Sequence, residues 1–223
     1  MFNKIKLGSL AILAVAFASC KKDIVENPNP AQPGTEKLSM SSKIEDSYFP
    51  YNNGSAYTYV DSTASGASTV TRSAVTVLGD TSIEGKTFAR TTSAGSKTSN
   101  YYNSADGVTT LVSYNGKDRQ TTTLLKANEP IGTTWKDEFT HNGVPTTYDW
   151  KIVNKGIDRT VQGTTYNNVI QVHMVGSAEV NKKKVVFSNA DYYYAPNVGL
   201  IENTSYDESG KQQVHRLLQK SGK

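Results

Sequence analysis

One cysteine in 223 residues, Cys20, excludes an internal disulfide framework and a thiol redox pair. The three histidines, His141, His173 and His215, stand 32 and 42 residues apart, with no pair at helical or alternating-strand spacing. A Cys/His metal centre has no sequence basis, and neither metal nor cofactor is expected. Apolar residues are scarce too, at 36%, against ~45–50% in globular chains on a count that also takes in glycine. No long apolar run follows Ala18, which excludes a polytopic helical membrane protein. There is no Gly-x-Ser-x-Gly elbow, no glycine-rich phosphate loop, and no strand–helix alternation to hold one.

Hydroxyl-bearing residues take up the deficit: 22 Ser, 25 Thr and 13 Tyr. Aromatic and β-branched residues are spread along most of the chain, so disorder is not expected. The length allows one domain, or at most two small ones.

The first twenty residues read as an address. Lys4 and Lys6 form a positive start, and Leu10–Ala18 is an unbroken apolar run of nine residues. At ~1.5 Å per residue such a helix cannot cross a ~30 Å hydrocarbon core, so it reads as a secretory leader. Phe17-Ala-Ser-Cys20 follows: an apolar residue, two small ones and the only cysteine. This resembles the lipobox of bacterial lipoproteins, which implies removal of Met1–Ser19 and lipidation of Cys20. Two or three acyl chains, at ~0.8 kcal/mol per buried CH₂, anchor a protein stably. The resemblance therefore implies a membrane partner, held through Cys20. Lys21 stands where inner-membrane lipoproteins carry Asp, which points to the outer membrane and leaves the periplasmic or outward face open. Without the leader's two lysines the net charge falls from +4 to +2, so no nucleic-acid partner is expected.

Residues 20–45 read as a tether. Pro28, Pro30 and Pro33 remove backbone donors and favour extended chain. About 25 such residues span roughly 25–30 Å. Residues 46–223 read as one all-β domain. Asn53-Gly54, Asp106-Gly107, Asn115-Gly116 and Asn142-Gly143 are hairpin signals, because a type I′ turn needs φ > 0 at both central positions. Further breaks are expected at Gly66, Gly79, Gly85, Gly95, Gly132, Gly156, Gly163, Gly199 and Gly210. The pattern predicts strands at 56–62, 68–78, 86–93, 97–104, 108–114, 119–126, 133–141, 145–153, 158–162, 165–176, 183–189, 192–195, 199–206 and 211–218. The last could instead hold a helical turn. Tyr148, Trp150 and Ile152 share one strand face, as do Ile170, Val172 and Met174.

Three stretches resemble motifs of uncharacterised bacterial envelope lipoproteins. Tyr48-Phe-Pro-Tyr-Asn-Asn-Gly54-Ser-Ala-Tyr57-Thr-Tyr59 is similar to their opening YYPLxxGNxWTY. Leu124-Leu125 with Pro130-Ile-Gly-Thr-Thr-Trp135 is similar to their mid-chain PVGTTW. Asp191-Tyr-Tyr-Tyr-Ala195-Pro-Asn-Val-Gly199-Leu-Ile201 is similar to their late YYAxGVGLV. The resemblance implies a single antiparallel meander sheet curved into an open or half barrel, a β-sandwich being the alternative. It implies no activity and no catalytic residues.

Function classes follow from what remains. Asp137, Glu138, Asp149, Glu202 and Asp207 could in principle pair as glycosidase acids, but acids on strand faces ordinarily solubilise. Lys182-Lys-Lys184 reads as a solvated loop or an edge-strand guard. The expectation is a non-catalytic domain binding an envelope glycan, a lipid-like molecule or a protein. A structural accessory of an outer-membrane complex is the alternative, and a hydrolase is a weaker one. Trp135, Trp150, Tyr148 and Tyr193 are the candidate ligand-binding residues, with at least one of Tyr192–Tyr194 expected at the surface. Trp135 lies seven residues before Asn142 and Trp150 seven after Gly143, so a two-residue hairpin sets them directly opposite. Such a pair is a core plug or the floor of a pocket.

Overall fold

The computed structural model describes residues 48–63, 70–115, 118–141 and 143–222. The leader, Cys20 and the tether lie outside the described residues, as do Gly66 and Gly116. Twelve strands follow one another: β1 Ala56–Thr63, β2 Val70–Ile83, β3 Lys86–Ser93, β4 Ser99–Ala105, β5 Val108–Asn115 and β6 Asp118–Lys126, then β7 Thr134–His141, β8 Val144–Val161, β9 Thr164–Val180, β10 Lys183–Ala195, β11 Gly199–Tyr206 and β12 Gln212–Gly222. No helix occurs among the described residues. All twelve form one sheet in the order β6-β5-β4-β3-β2-β1-β12-β11-β10-β9-β8-β7. Every ladder in it is antiparallel. The sheet is a meander whose first and last strands meet through the β1–β12 ladder. It curls into a nearly closed barrel with one unsealed seam, between β6 and β7. The β-sandwich alternative is thereby excluded.

Turn chemistry explains the hairpins. Glu84-Gly85, Asp106-Gly107, Gln162-Gly163 and Asn181-Lys182 have positive φ at both central residues, as a two-residue I′ turn requires. Several expectations fail for identifiable reasons. Gly156 and Gly79 do not end strands. They sit at positive φ of 69° and 128° inside β8 and β2, beside register shifts, so each bends a continuous strand as a bulge. The segments predicted as 145–153 and 158–162 are therefore one strand; 183–189 and 192–195 are also one, because the ladder to β9 runs on through Ala190 and Asp191. Asn53-Gly54 is not a hairpin. It turns the chain into β1, with the Gly54 N–H donating to Val77 O. Lys182 is in the exposed β9–β10 turn, and Lys183 and Lys184 pair only with β9, because the β10–β11 ladder begins at Ala190. They stand on the unpaired edge of the β9–β10 tip, as the solvated-loop or edge-guard reading expects.

The core lines the inside of the curl. Along β9, Ile170, Val172 and Met174 are buried while Gln171 and His173 are not, which marks the inner face. Ring contacts then run nearly the length of the interior. Tyr57 meets Tyr51 at 5.2 Å, Tyr51 meets Phe49 at 5.6 Å, and Phe49 meets Tyr194 at 5.2 Å. Tyr194 stacks on Tyr192 at 6.4 Å, Tyr192 meets Trp150 at 5.7 Å, and Trp150 stacks on Trp135 at 6.0 Å. Residues 48–51 precede the sheet and contribute Phe49, 1% exposed, to this chain. Tyr48 and Pro50 pass beside Gly199, and Tyr57 Oη donates to Pro50 O. The first and third motif stretches thus meet in space, and Trp135 of the second ends the same ring chain. The motifs supply core packing.

Candidate functional site

The register assigns an inner-face row that crosses six strands. Ile152, Val172, Tyr192, Asn203, Arg216 and Asp61 are successive cross-strand partners. Buried aliphatics therefore pass directly into an ion pair. Arg216 Nε and Nη2 donate to the two Asp61 carboxylate oxygens at 2.6 and 2.9 Å, and Ser73 Oγ donates to Oδ2 at 3.2 Å. The pair is about six-sevenths buried, at 14% and 16% side-chain exposure. The Arg216 guanidinium also lies 5.6 Å from the centre of the Tyr59 ring, a cation–π contact that burial strengthens. Burial disfavours the guanidinium charge, yet Asp61 outweighs it and holds the Arg216 pKa above its ordinary value.

Around that pair the wall is aromatic and incompletely covered. Tyr102, Tyr148 and Tyr192 pack against the core but remain half-buried. Burial pushes the Tyr102 phenol up to about 12 and the Tyr192 phenol well above its ordinary value, while the nearby Arg216 charge lowers both. The inner face thus offers phenols, aromatic faces and one compensated charge pair, a combination suited to an amphipathic ligand.

The sequence-predicted site residues divide between faces. Trp135 and Trp150 are direct register partners, as the turn spacing required. Their rings are parallel within 3°, and they are 8% and 3% exposed. Tyr148 is on the same face, 6.2 Å from Trp150. Tyr193 is not with them. It points to the outer face, where the Arg159 guanidinium covers its ring at 4.3 Å, and only 7% of it is exposed. No member of Tyr192–Tyr194 is openly exposed.

The candidate acids and the histidines do not gather in one cleft. Asp137 is the inner-face partner of Tyr148, whereas Asp149 is on the other face, bridged by Lys136 and Lys184. His141 contacts Gln120. His173 holds Asp191, which also accepts from Tyr206 Oη. Asp207 caps its own turn, accepting from the backbone N–H groups of Ser209 and Lys211. Glu138 is exposed. Among the described residues no group of three or more His, Cys, Asp or Glu is placed to hold a metal ion.

Sequence reasoning missed Arg159, Glu202 and His215 as a unit. Arg159 reaches over from the far half of β8 and grips Glu202 through Nε and Nη2 at 2.7 and 2.6 Å, while His215 Nε2 meets the same carboxylate at 2.8 Å. No sequence spacing announces a contact between residues 43 apart. It closes the β8–β9 arm over the outside of β10 and β11.

A crystal structure described as a "putative exported protein with YmcC-like fold" from Bacteroides fragilis is similar over 80% of this chain and all of its own, at 13% identity and a TM-score of 0.51. That likeness is one of fold. A second structure, described as a "putative lipoprotein" from Parabacteroides distasonis, aligns over 79% of this chain and 99% of its own at 11% identity, with a TM-score of 0.48. No protein-family model matches the chain. No curated protein is significantly similar to it.

Proposed function

We propose that the chain is a lipid-anchored protein of the bacterial outer membrane whose barrel is a non-catalytic binding domain for a glycan or lipid-like molecule. The observation that carries the binding reading is the pair of half-buried phenols Tyr102 and Tyr192 near the Asp61–Arg216 pair, with half-buried Tyr148 farther along the same inner face. Aromatic faces take up sugar C–H surfaces or acyl chains, and the ion pair with the phenols answers hydroxyls or a headgroup. The anchor reading rests on the leader and Cys20, and the exported neighbour of like fold agrees with it. Residues 20–45 then hold the barrel clear of the lipid headgroups.

The anchor is tested by Cys20→Ala in the full chain. The variant is expected to leave the membrane fraction and appear in the soluble envelope extract. Continued membrane association, resistant to detergent-free washing, would overturn the lipoprotein reading.

A second reading, an accessory that docks a protein in an outer-membrane complex, draws on one patch. Val180 and Val185, 45% and 42% exposed, share one face of the β9–β10 tip, an exposed apolar pair of the kind that contact surfaces use.

A further inference from the structure

We propose that the seam between β6 and β7 is a lateral gate to the inner face, latched on Thr123 by Trp135 and Asp137. The proposal rests on the binding reading above, because it names the route by which that site is reached.

Eleven strand pairs in the sheet are joined by backbone ladders, and the β6–β7 pair is not. Side chains stand in for the missing ladder. The Thr123 N–H donates to Asp137 Oδ2 at 2.9 Å, and the Thr123 carbonyl accepts from Trp135 Nε1 at 2.8 Å. Both backbone groups of one β6 residue are therefore satisfied by residues i and i+2 of β7, which share the inner face. Nearer the His141 end, Gln120 Nε2 and His141 Nδ1 meet at 3.0 Å.

Backbone pairing cannot let go at one point without unzipping its neighbours. Side-chain bonds can, because a rotamer change releases each one while the strands stay intact. The two ends of the seam also differ in how firmly they are held. The β6–β7 connection, residues 127–133, is tied down by Lys155 Nζ, which donates to Ala127 O and Glu129 O at 2.6 and 2.8 Å. Backbone bonds from Ala127 N to Gly107 O, Gly132 N to Ile152 O and Ile152 N to Thr133 O fix the same loop. The loop is the hinge, and the seam opens from the His141 end.

The latch is also built into the binding wall. Asp137 is the register partner of Tyr148, and Trp135 that of Trp150. Trp150 Nε1 is buried without a hydrogen-bond partner, though the Asp137 carboxyl feels its proximity.

The test uses hydrogen exchange on the full chain. In a Trp135→Phe/Asp137→Ala variant, amides of β6 and β7 are expected to exchange about tenfold faster or more, with those of β9 and β10 unchanged. Gln120→Ala, which leaves the wall intact, is expected to give a smaller change confined to the same strands. Exchange that rises evenly through the sheet, or in neither variant, would overturn the gate. A Gln120→Cys/His141→Cys variant bridged with dibromobimane supplies the second arm, with lysophosphatidylethanolamine and a hexasaccharide of N-acetylglucosamine as probes. Bridging is expected to slow association of the probe that binds by about tenfold. Binding at an unchanged rate would sink the gate while the binding reading stands. If neither probe binds even without the bridge, the binding reading falls and the exchange pattern alone decides the gate.

Discussion

Replacing Trp150 with alanine is expected to destabilise the barrel by about 3–5 kcal/mol, a large part of a typical domain's stability. Trp150 is 3% exposed. It touches the Trp135, Tyr148 and Tyr192 rings, so its removal interrupts the ring chain at a branch point. The cavity left behind is lined by the Trp135, Tyr148 and Tyr192 rings, whose rigid faces collapse poorly into empty volume, with Met174 as the cross-strand neighbour on β9. Trp150→Phe keeps most of the contact area and is expected to cost about 1–2 kcal/mol. Chemical denaturation of the two variants against the parent measures both values. A loss below about 1 kcal/mol for Trp150→Ala would mean that the stacked pair plugs nothing, and that the indoles lie in an open pocket.

Acid is expected to remove about 3 kcal/mol through Glu202 alone. Burial raises the pKa of this carboxyl, but hydrogen bonds from His215 and Arg159, with their charges, overcome burial and hold it down at about 2, against an ordinary 4.5. The side chain is only 3% exposed, so solvent screens the interaction little. A carboxylate whose folded pKa is depressed stabilises the fold above its unfolded value and loses that contribution as pH falls through the folded one. The stabilisation is thus complete above about pH 5 and disappears between roughly pH 4.5 and 2. Glu202→Gln is expected to lose a similar amount at pH 7 and to flatten the pH dependence over that interval. Stability curves of parent and variant from pH 2 to pH 7 check this; parallel curves would show that Glu202 is not the group responsible.

The parts of the fold legible in the sequence are those decided within a few residues. Asn142-Gly143 predicted a two-residue turn, and with it the Trp135–Trp150 pairing found in the register. Strands 86–93 and 199–206 end where predicted, because glycine or a charged turn bounds each. Gly79 and Gly156 misled because glycine serves both a turn and a bulge, and only the partner strand distinguishes them. Asp61 and Arg216, 155 residues apart, face one another only because the meander curls until β12 returns to β1. No local pattern encodes that closure. Tyr193 fails as an exposed aromatic for the same reason: the arm that carries Arg159 over it belongs to another hairpin. The seam was equally hidden, since β6 and β7 each carry a normal strand pattern and differ from the rest only in lacking a mutual ladder.

The binding account is tested most directly by the fluorescence of the chain's two tryptophans, both on the inner face beside the half-buried tyrosines. The full chain is titrated with a hexasaccharide of N-acetylglucosamine and, separately, with lysophosphatidylethanolamine below its micelle threshold. The account predicts a saturable change in emission with one of the two, weakened about tenfold or more by Tyr192→Ala. Emission that neither compound moves, or a response that Tyr192→Ala leaves intact, would contradict it.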